Sequence, residues 1–307
     1  MDVTRRTLMQ TAAASALAAV SVGARAQMGE PRGAGEARVE RDIVFGKGGD
    51  KDLLLDVYHP VEGVTSKRTA IIHLFGGAFR VGNKSAQYVV NHAQALARLG
   101  YTSVSATYRL QSEALWPAQI HDTKAAIRWT RANANRLGVE SDRIVIAGYS
   151  AGGMLALLAA GTNGVAEFEG DGGNAGVSSD VQACVGVYPA TGGPITRGLF
   201  PEGLSDAEVA KAIESVSPTT YISERFAPTI LIHGTDDGTI PVSSSIEFFN
   251  RLKEHGVPAA LTLIQGADHV FDNTELDAVD LMARSVDLFL NRLLVEKKPY
   301  PRFRPGG

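Results

Sequence analysis

Residues 143–153 have the sequence Arg143-Ile-Val-Ile-Ala-Gly-Tyr-Ser150-Ala-Gly-Gly153, and this segment is the most informative one about the fold class. Its first half is short and apolar, which predicts a buried strand over Arg143–Ala147, and the Ala/Leu-rich run Ala151–Ala160 predicts a helix. Between them stands the pattern Gly-x-Ser-x-Gly, which is weak alone because a glycine-rich chain can match it by chance. Its place between a strand and a helix predicts a tight turn that exposes Ser150 in a strained backbone conformation.

Outside this stretch, short apolar runs alternate with segments of helical periodicity. Such alternation is typical of β-α-β units, in which a mostly parallel central sheet carries helices on both faces. Alternating apolar and polar residues on either side of Gly46–Asp50 predict an N-terminal antiparallel hairpin, formed by Arg38–Phe45 and Asp52–Tyr58. The other predicted strands are Ala70–Phe75, Thr102–Thr107, Val181–Tyr188, Thr229–His233 and Ala260–Ile264, and the other predicted helices are Val89–Leu99, Gln119–Leu137, Ser243–His255 and Leu276–Leu294.

The N-terminal segment predicts an export signal rather than part of the fold. Residues 1–26 combine a charged start, a short Ala-rich apolar centre and the end Ala24-Arg-Ala26, as in a secretory signal peptide. Thr4–Met9, with its two arginines, also resembles a twin-arginine signal, which implies a periplasmic or secreted protein. The apolar run Thr11–Val22 is too short to span a bilayer, so no stable membrane anchor is predicted. We expect a disordered lead-in over 27–37, one domain over 38–296 with a long insertion at Pro189–Arg225, and a tail over 297–307.

The composition excludes several classes of function. Hydrophobic residues make up 44% of the chain, charged residues make up 21%, and the formal net charge is −3. This balance lacks the basic character of a nucleic-acid-binding protein, so no nucleic acid is expected as a partner. The one cysteine, Cys184, lies in the apolar run Val181–Val187, where we expect a buried thiol. No Cys/His zinc pattern is present, and neither a metal nor another cofactor is predicted.

The turn at Ser150 places a serine hydroxyl in the surroundings of a nucleophile. The backbone N–H of Ala151 stands at the N-terminus of the following helix, where it can donate to a negative oxygen that develops on a substrate. The loop after the strand at Ala70–Phe75 continues as Gly-Gly-Ala78, and such small residues let the backbone approach a substrate carbonyl closely. We therefore expect the N–H groups of Gly77 and Ala78 to complete an oxyanion hole with Ala151.

A serine hydroxyl is a weak nucleophile and needs a base, usually a histidine that a carboxylate orients. Where the serine occupies a strand–turn–helix, the acid and then the histidine follow it along the chain. Among the later histidines, His233 ends a strand before any suitable acid, and His255 lies in the last turn of a helix. His269 lies in a loop directly after a strand, where a base can reach over the sheet edge, and is the predicted base.

The acid is expected in the loop Thr235-Asp-Asp-Gly238, which follows a predicted strand. Both Asp236 and Asp237 stand at suitable positions, and position alone does not separate them. Asp268 is adjacent to His269 in sequence and would have to fold back onto the ring of its own neighbour.

Several motifs accompany these candidates: Tyr108-Arg-Leu110, Trp116-Pro-Ala118, Asp122, Arg128-Trp129, and His233-Gly-Thr-Asp-Asp237 followed by Ile240-Pro241. With them the mature chain resembles α/β-hydrolase esterases of the acetyl esterase and feruloyl/acetylxylan esterase group, which is related to the hormone-sensitive-lipase family. The resemblance implies an α/β-hydrolase catalytic domain over 38–296. The family acid is the aspartate four residues after that histidine, which implies Asp237. The family usually has His-Gly-Gly-Gly where this chain has Phe75-Gly-Gly-Ala78, which retains the backbone donors.

The resemblance implies a serine carboxylesterase that cleaves short-chain or carbohydrate-linked carboxylic esters through an acyl-enzyme, with Ser150, Asp237 and His269 as the catalytic residues. A small-molecule or carbohydrate ester is thus the expected partner. Trp116 and Tyr149 are predicted to contact the substrate, and packing is the alternative for Trp116. Two other classes stay open, a serine peptidase or amidase of the prolyl-oligopeptidase type and a non-catalytic binding protein on the same fold.

Overall fold

The computed structural model describes residues 35–299. Its strands are β1 (Val39–Gly48), β2 (Lys51–Tyr58), β3 (Ala70–Leu74), β4 (Thr102–Ala106), β5 (Ile144–Tyr149), β6 (Ala183–Val187), β7 (Thr229–Gly234) and β8 (Ala259–Ile264). They form one eight-stranded sheet with the order β1-β2-β4-β3-β5-β6-β7-β8. β2 pairs antiparallel with both β1 and β4, and all other neighbouring strands are parallel. The predicted fold class is confirmed.

The N-terminal hairpin is longer than the sequence pattern predicted. β1 runs on through the first glycines to Gly48, and the last pair of the ladder joins Gly48 to Lys51. The two-residue connection Gly49-Asp50 has Gly49 at a φ of 65°, a left-handed conformation that suits glycine in such short hairpin turns. Gly49 and Asp50 therefore form the turn of the predicted hairpin.

The helices are α1 (Gln87–Arg98), α2 (Ala118–Ala132), α3 (Ala134–Leu137), α4 (Ala151–Gly161), α5 (Asp206–Val216), α6 (Val242–Glu254) and α7 (Leu276–Leu290). The prediction of a single helix over Gln119–Leu137 is wrong, because the helix is interrupted at Asn133. The side chain of Asn133 donates to the carbonyl oxygen of Trp129 at 2.9 Å and so competes with the helical backbone pattern. Gly138 ends α3 in a left-handed conformation, as expected for a C-terminal glycine.

The insertion contains a helix that the sequence analysis missed. α5 begins with a capping box, in which Ser205 accepts from the backbone N–H of Glu208 and the Glu208 side chain accepts from the Ser205 N–H. This Ser-x-x-Glu spacing was visible in the sequence and could have predicted the start of the helix. Most residues of α5 are exposed, and Val216 is its buried residue.

The core lies on both faces of the parallel strands. Every residue of β3, β4, β5, β6 and β7 is buried. Helix α1 packs against α7, and α2 packs against α4. Cys184 in β6 is fully buried, and this burial raises the pKa of its thiol, as expected for a structural cysteine. The parallel strands are buried on both faces, and their carboxyl ends lie together at one end of the sheet. The polar residues of the candidate site lie at that end.

The predicted signal peptide over 1–26, residues 27–34 of the predicted lead-in and residues 300–307 of the predicted tail lie outside the described residues. The predicted lead-in ends at Ala37, which is buried and whose backbone N–H donates to the side chain of Gln94 at 2.9 Å. Within residues 35–299, no helix is long and apolar enough to cross a bilayer. The same part of the chain holds no cluster of three or more His, Cys, Asp or Glu side chains suited to a metal ion.

Candidate active site

Ser150 stands on the sharp turn between β5 and α4. Its φ is 52° and its ψ is −116°, a conformation that L-residues rarely adopt and that recurs at functional sites. The turn is held from both sides, because the Ser150 N–H donates to the carbonyl oxygen of Val187 and the Ser150 carbonyl accepts from the N–H of Ala190. The strained backbone lifts the hydroxyl to the end of the sheet.

Two glycines allow this turn to form. A Cβ at Gly148 would lie 2.0 Å from the carbonyl oxygen of Gly152. A Cβ at Gly152 would lie 2.2 Å and 2.3 Å from the carbonyl oxygens of Leu74 and Phe75. Because these neighbours are backbone atoms, no side-chain movement could relieve either contact, and the Gly-x-Ser-x-Gly spacing follows from the packing of β5, α4 and the end of β3.

The structure brings the predicted serine, histidine and aspartate together. His269 Nε2 lies 3.0 Å from Ser150 Oγ, and His269 Nδ1 lies 2.7 Å from Asp237 Oδ2. Asp237 follows β7 and His269 follows β8, so both stand beyond the carboxyl ends of parallel strands, at the same sheet edge as Ser150. The geometry is that of a nucleophile, a base and an orienting acid within hydrogen-bond reach.

Asp237 is the aspartate that meets the histidine. Its Oδ1 accepts from the backbone N–H groups of Thr239 and Ile240, each at 2.8 Å. The neighbouring Asp236 is exposed and its carboxylate accepts from the hydroxyl of Thr235. Position along the chain did not separate the two aspartates, whereas the turn after β7 directs only Asp237 toward the ring of His269.

His233 supports Asp237, a role that the sequence analysis missed. Its Nε2 faces two acceptors, the carbonyl oxygen of Ile240 at 2.9 Å and Asp237 Oδ2 at 3.1 Å, while its Nδ1 lies 2.8 Å from the hydroxyl of Ser245. Burial lowers the pKa of His233, so the ring is neutral and carries its proton on Nε2. The signal was available in the four-residue spacing between His233 and Asp237.

Neither of the other acid and base candidates reaches Ser150. Asp268 Oδ1 accepts from the backbone N–H groups of Gly238 and of its neighbour His269, and the Gly238 bond lowers the pKa of its carboxyl. His255 ends α6, where its Nδ1 bonds to the carbonyl oxygen of Arg251 at 2.8 Å. Both side chains therefore bond to backbone groups instead of to Ser150.

The loop after β3 passes directly beside the nucleophile. A Cβ at Gly76 would lie 3.0 Å from the Cβ of Ser150, so the backbone comes as close as a glycine allows. Gly77 and Ala78 have φ values of 118° and 53°. Among residues 35–299, the backbone N–H groups of Gly77, Ala78 and Ala151 have no hydrogen-bond acceptor. These three groups are available to bind an oxyanion.

Two tyrosines hold the loop after β3, a role that was not predicted from the sequence for either residue. The Tyr108 hydroxyl donates to the carbonyl oxygen of Phe75 at 2.8 Å, and the two rings stack with centroids 4.3 Å apart. The Gly76 N–H donates to the hydroxyl oxygen of Tyr88 at 2.9 Å. Phe75, which stands where the family usually has histidine, is thus a buried packing residue that fixes the loop.

Tyr149 and Trp116, the two residues predicted to contact the substrate, differ in how far they are buried. Tyr149 is 1% exposed, and its hydroxyl bonds to Nδ1 of the buried His73 at 3.0 Å. This corrects the predicted substrate contact, because a side chain enclosed on all sides offers a ligand no surface. Trp116 is half-buried, packs edge-on against Phe168, and donates its backbone N–H to the carbonyl oxygen of Leu199. The bond to Leu199 joins Trp116 to the insertion, and the contact of Trp116 with a substrate stays a prediction.

Comparison with known proteins identifies relatives of this chain. The family model described as BD-FAE matches residues 55–195 and 200–252. Esterase LipC of Mycobacterium tuberculosis is 30% identical over 82% of this chain and 65% of its own length. A truncated carbohydrate esterase from gut microbiota superposes with a TM-score of 0.69 at 25% identity, over 83% of this chain and 99% of that one.

A second solved structure is similar, the butyrate-bound form of the thermophilic esterase Est2 from Thermogutta terrifontis. It superposes with a TM-score of 0.68 at 28% identity and covers 84% of this chain and 96% of that one. The three curated relatives LipC, LipM and LipQ match over 65%, 56% and 61% of their own lengths, so the chain spans less than two thirds of each.

Proposed function

This chain belongs to the BD-FAE family, and from that premise we propose that it is a serine carboxylesterase that works through an acyl-enzyme. One observation carries the proposal: Ser150, His269 and Asp237 form a continuous hydrogen-bonded series, beside three backbone N–H groups that have no acceptor within residues 35–299. The esterase names of its relatives support the same reaction class.

In the first half-reaction, Ser150 Oγ attacks the ester carbonyl carbon while His269 Nε2 takes the hydroxyl proton. Asp237 accepts from His269 Nδ1, which keeps Nε2 free of a proton before attack and stabilises the imidazolium afterwards. The negative oxygen of the tetrahedral intermediate accepts from Gly77, Ala78 and Ala151. Removing one donor of this kind typically costs about 10²- to 10³-fold in kcat.

The intermediate then collapses with loss of the alcohol. His269 returns its proton to the alcohol oxygen as the carbon–oxygen bond breaks, and the acyl group stays on Ser150. A water molecule takes the place of the alcohol, gives a proton to His269 and attacks the acyl carbon. The second collapse releases the carboxylic acid and returns the proton to Ser150.

The substrates are short-chain or carbohydrate-linked carboxylic esters. Support comes from the solved relatives, one described as a carbohydrate esterase and one bound to butyrate. A panel of p-nitrophenyl acetate, p-nitrophenyl butyrate, methyl ferulate, acetylated xylan and p-nitroacetanilide tests this assignment. We expect turnover of the acetyl and butyryl esters and far slower turnover of the anilide, because an amine is a poorer leaving group than an alcohol. Faster cleavage of the anilide would instead assign the chain to the amidases.

The protein is exported by the twin-arginine route and acts in the periplasm or outside the cell. The motif at Thr4–Met9 and the end Ala24-Arg-Ala26 support this localisation. Expressed in a bacterial host, the protein is expected in the periplasmic fraction with a mass that corresponds to a start at Gln27. Replacing both arginines, Arg5→Lys and Arg6→Lys, is expected to retain it in the cytoplasm, whereas Arg25→Lys should not. Export of the double variant at the normal level would refute the route.

A further inference from the structure

A buried carboxylate that the proposed mechanism does not use lies behind the histidine loop. Asp272 is fully buried in the one-turn helix Phe271–Asn273, three residues after His269. Its Oδ1 accepts from the hydroxyl of Tyr188 at 2.8 Å, and its Oδ2 accepts from Nε2 of His92 at 3.0 Å. Because a buried carboxylate without partners is strongly unfavourable, these two bonds fix Asp272 in place.

Tyr188 lies between this carboxylate and the imidazole of His269. It follows β6 and is fully buried, and its ring centroid lies 4.7 Å from the centroid of the His269 ring at an interplanar angle of 60°. Burial raises the pKa of the Tyr188 hydroxyl, so the group stays protonated and donates to Asp272. The bond to Asp272 thus holds the hydroxyl of a ring that packs edge-on against the imidazole.

The backbone between His269 and Asp272 needs such an anchor. Val270 has a φ of 58°, a left-handed conformation that a β-branched residue adopts only when the surrounding structure imposes it. Helix α1 holds the far side of this segment twice, through the His92 bond to the carboxylate and through Asn91, whose side chain donates to the carbonyl oxygen of Asp272 at 3.1 Å. The loop that carries His269 is therefore clamped at Asp272.

We propose that Tyr188 and Asp272 are positioning residues that hold the imidazole of His269 in line with Ser150 and Asp237. The proposal rests on the proposed function, in which His269 is the base. His269 must present Nε2 first to the serine and then to the leaving alcohol without changing its ring plane. A displacement of about 1 Å at a reacting group can cost about 100-fold in rate, so a small rotation of the ring suffices to slow both steps.

The test removes the hydroxyl of Tyr188 and keeps its aromatic ring. Tyr188→Phe is expected to lower kcat for p-nitrophenyl acetate by about 10- to 100-fold, with a nearly unchanged KM because the buried Tyr188 touches no substrate. The downfield proton resonance of His269 Nδ1–H, measured without substrate, is expected to broaden as the ring gains motion. Tyr101→Phe is the matched control, because Tyr101 is also fully buried and donates to a carboxylate, Asp287, at 2.9 Å.

Asp272→Asn is the second variant, and it removes the charge from the same bond. The two substitutions disturb one contact, so the double variant should lose little more than the worse single variant. If Asp272→Asn does not fold, Tyr188→Phe alone decides, since it leaves the pair of Asp272 and His92 intact. A kcat for Tyr188→Phe equal to that of Tyr101→Phe overturns the proposal, as does a lower kcat with an unchanged Nδ1–H resonance. Absence of esterase activity in the wild type would refute the proposed function instead, while the resonance would still report on the positioning.

Discussion

Replacing Ser150 with alanine is expected to lower kcat for p-nitrophenyl acetate by about 10⁴- to 10⁶-fold. The hydroxyl that bonds to His269 Nε2 is the nucleophile of the first half-reaction, and the oxyanion donors alone leave a small residual rate. The variant should also lose covalent labelling by a fluorophosphonate, which mass spectrometry of the wild type should locate on Ser150. Alanine keeps the Cβ, so the turn and the melting temperature should stay nearly unchanged.

The matched control for this substitution is Ser179→Ala. Ser179 is a buried serine whose hydroxyl donates to Glu169, so the variant loses one buried hydroxyl but no part of the triad. It should retain both kcat and labelling. Turnover by Ser150→Ala close to that of this control would remove Ser150 from the nucleophile role and with it the proposed mechanism.

Replacing Asp237 with asparagine is expected to lower kcat by about 10⁴-fold without preventing folding. The side-chain oxygen of asparagine should stay at the Oδ1 position, because the N–H groups of Thr239 and Ile240 both require an acceptor there. The amide NH₂ then takes the Oδ2 position and donates toward His269 Nδ1. The ring must accept on Nδ1 and carry its proton on Nε2, where it can no longer take the proton of Ser150.

In this orientation of the amide, His233 adds a cost in stability. Its Nε2–H also faces the Oδ2 position, so an NH₂ group there meets a second donor and the buried bond is lost. We therefore expect a loss of stability of about 1–3 kcal/mol beside the loss of rate, measurable by urea denaturation.

Asp236→Asn is the control for this prediction. Asp236 is exposed and its carboxylate accepts from the neighbouring Thr235 hydroxyl, so kcat of the variant should stay within about twofold of wild type, as for most surface substitutions. An equal loss in both variants would show that the turn after β7, and not the carboxylate of Asp237, determines the rate.

Much of the fold was readable from the sequence because its signals are local. The apolar run before Ser150, the glycines around it and the alternation of strands and helices depend on neighbours within a few residues. These signals predicted the hairpin and the mostly parallel sheet, and they placed Ser150 on its turn. The interruption of the helix at Asn133 was missed because the predictions relied on apolar periodicity, which does not register a side-chain bond to the backbone. Helix α5 was missed because its start is marked by a capping box and not by apolar periodicity.

The site was harder to predict from the sequence, because the residues that form it are distant from one another along the chain. His269 followed from its order after Ser150 and its place in a loop, but the choice of Asp237 over Asp236 needed either the family resemblance or the observed turn. Tyr149 was predicted to contact the substrate, yet both faces of β5 are covered and its side chain is buried.

The sequence by itself determined the class of fold, the position of Ser150 and the set of groups that could assist it, because these depend on residue type and short-range order. Only the tertiary structure decided which carboxylate meets His269, how His233 holds that carboxylate and how Tyr188 and Asp272 pack behind the ring. Those contacts join residues from separate strands and helices. Their directions depend on the sheet order and on how the helices bury it, which no short stretch of the chain contains.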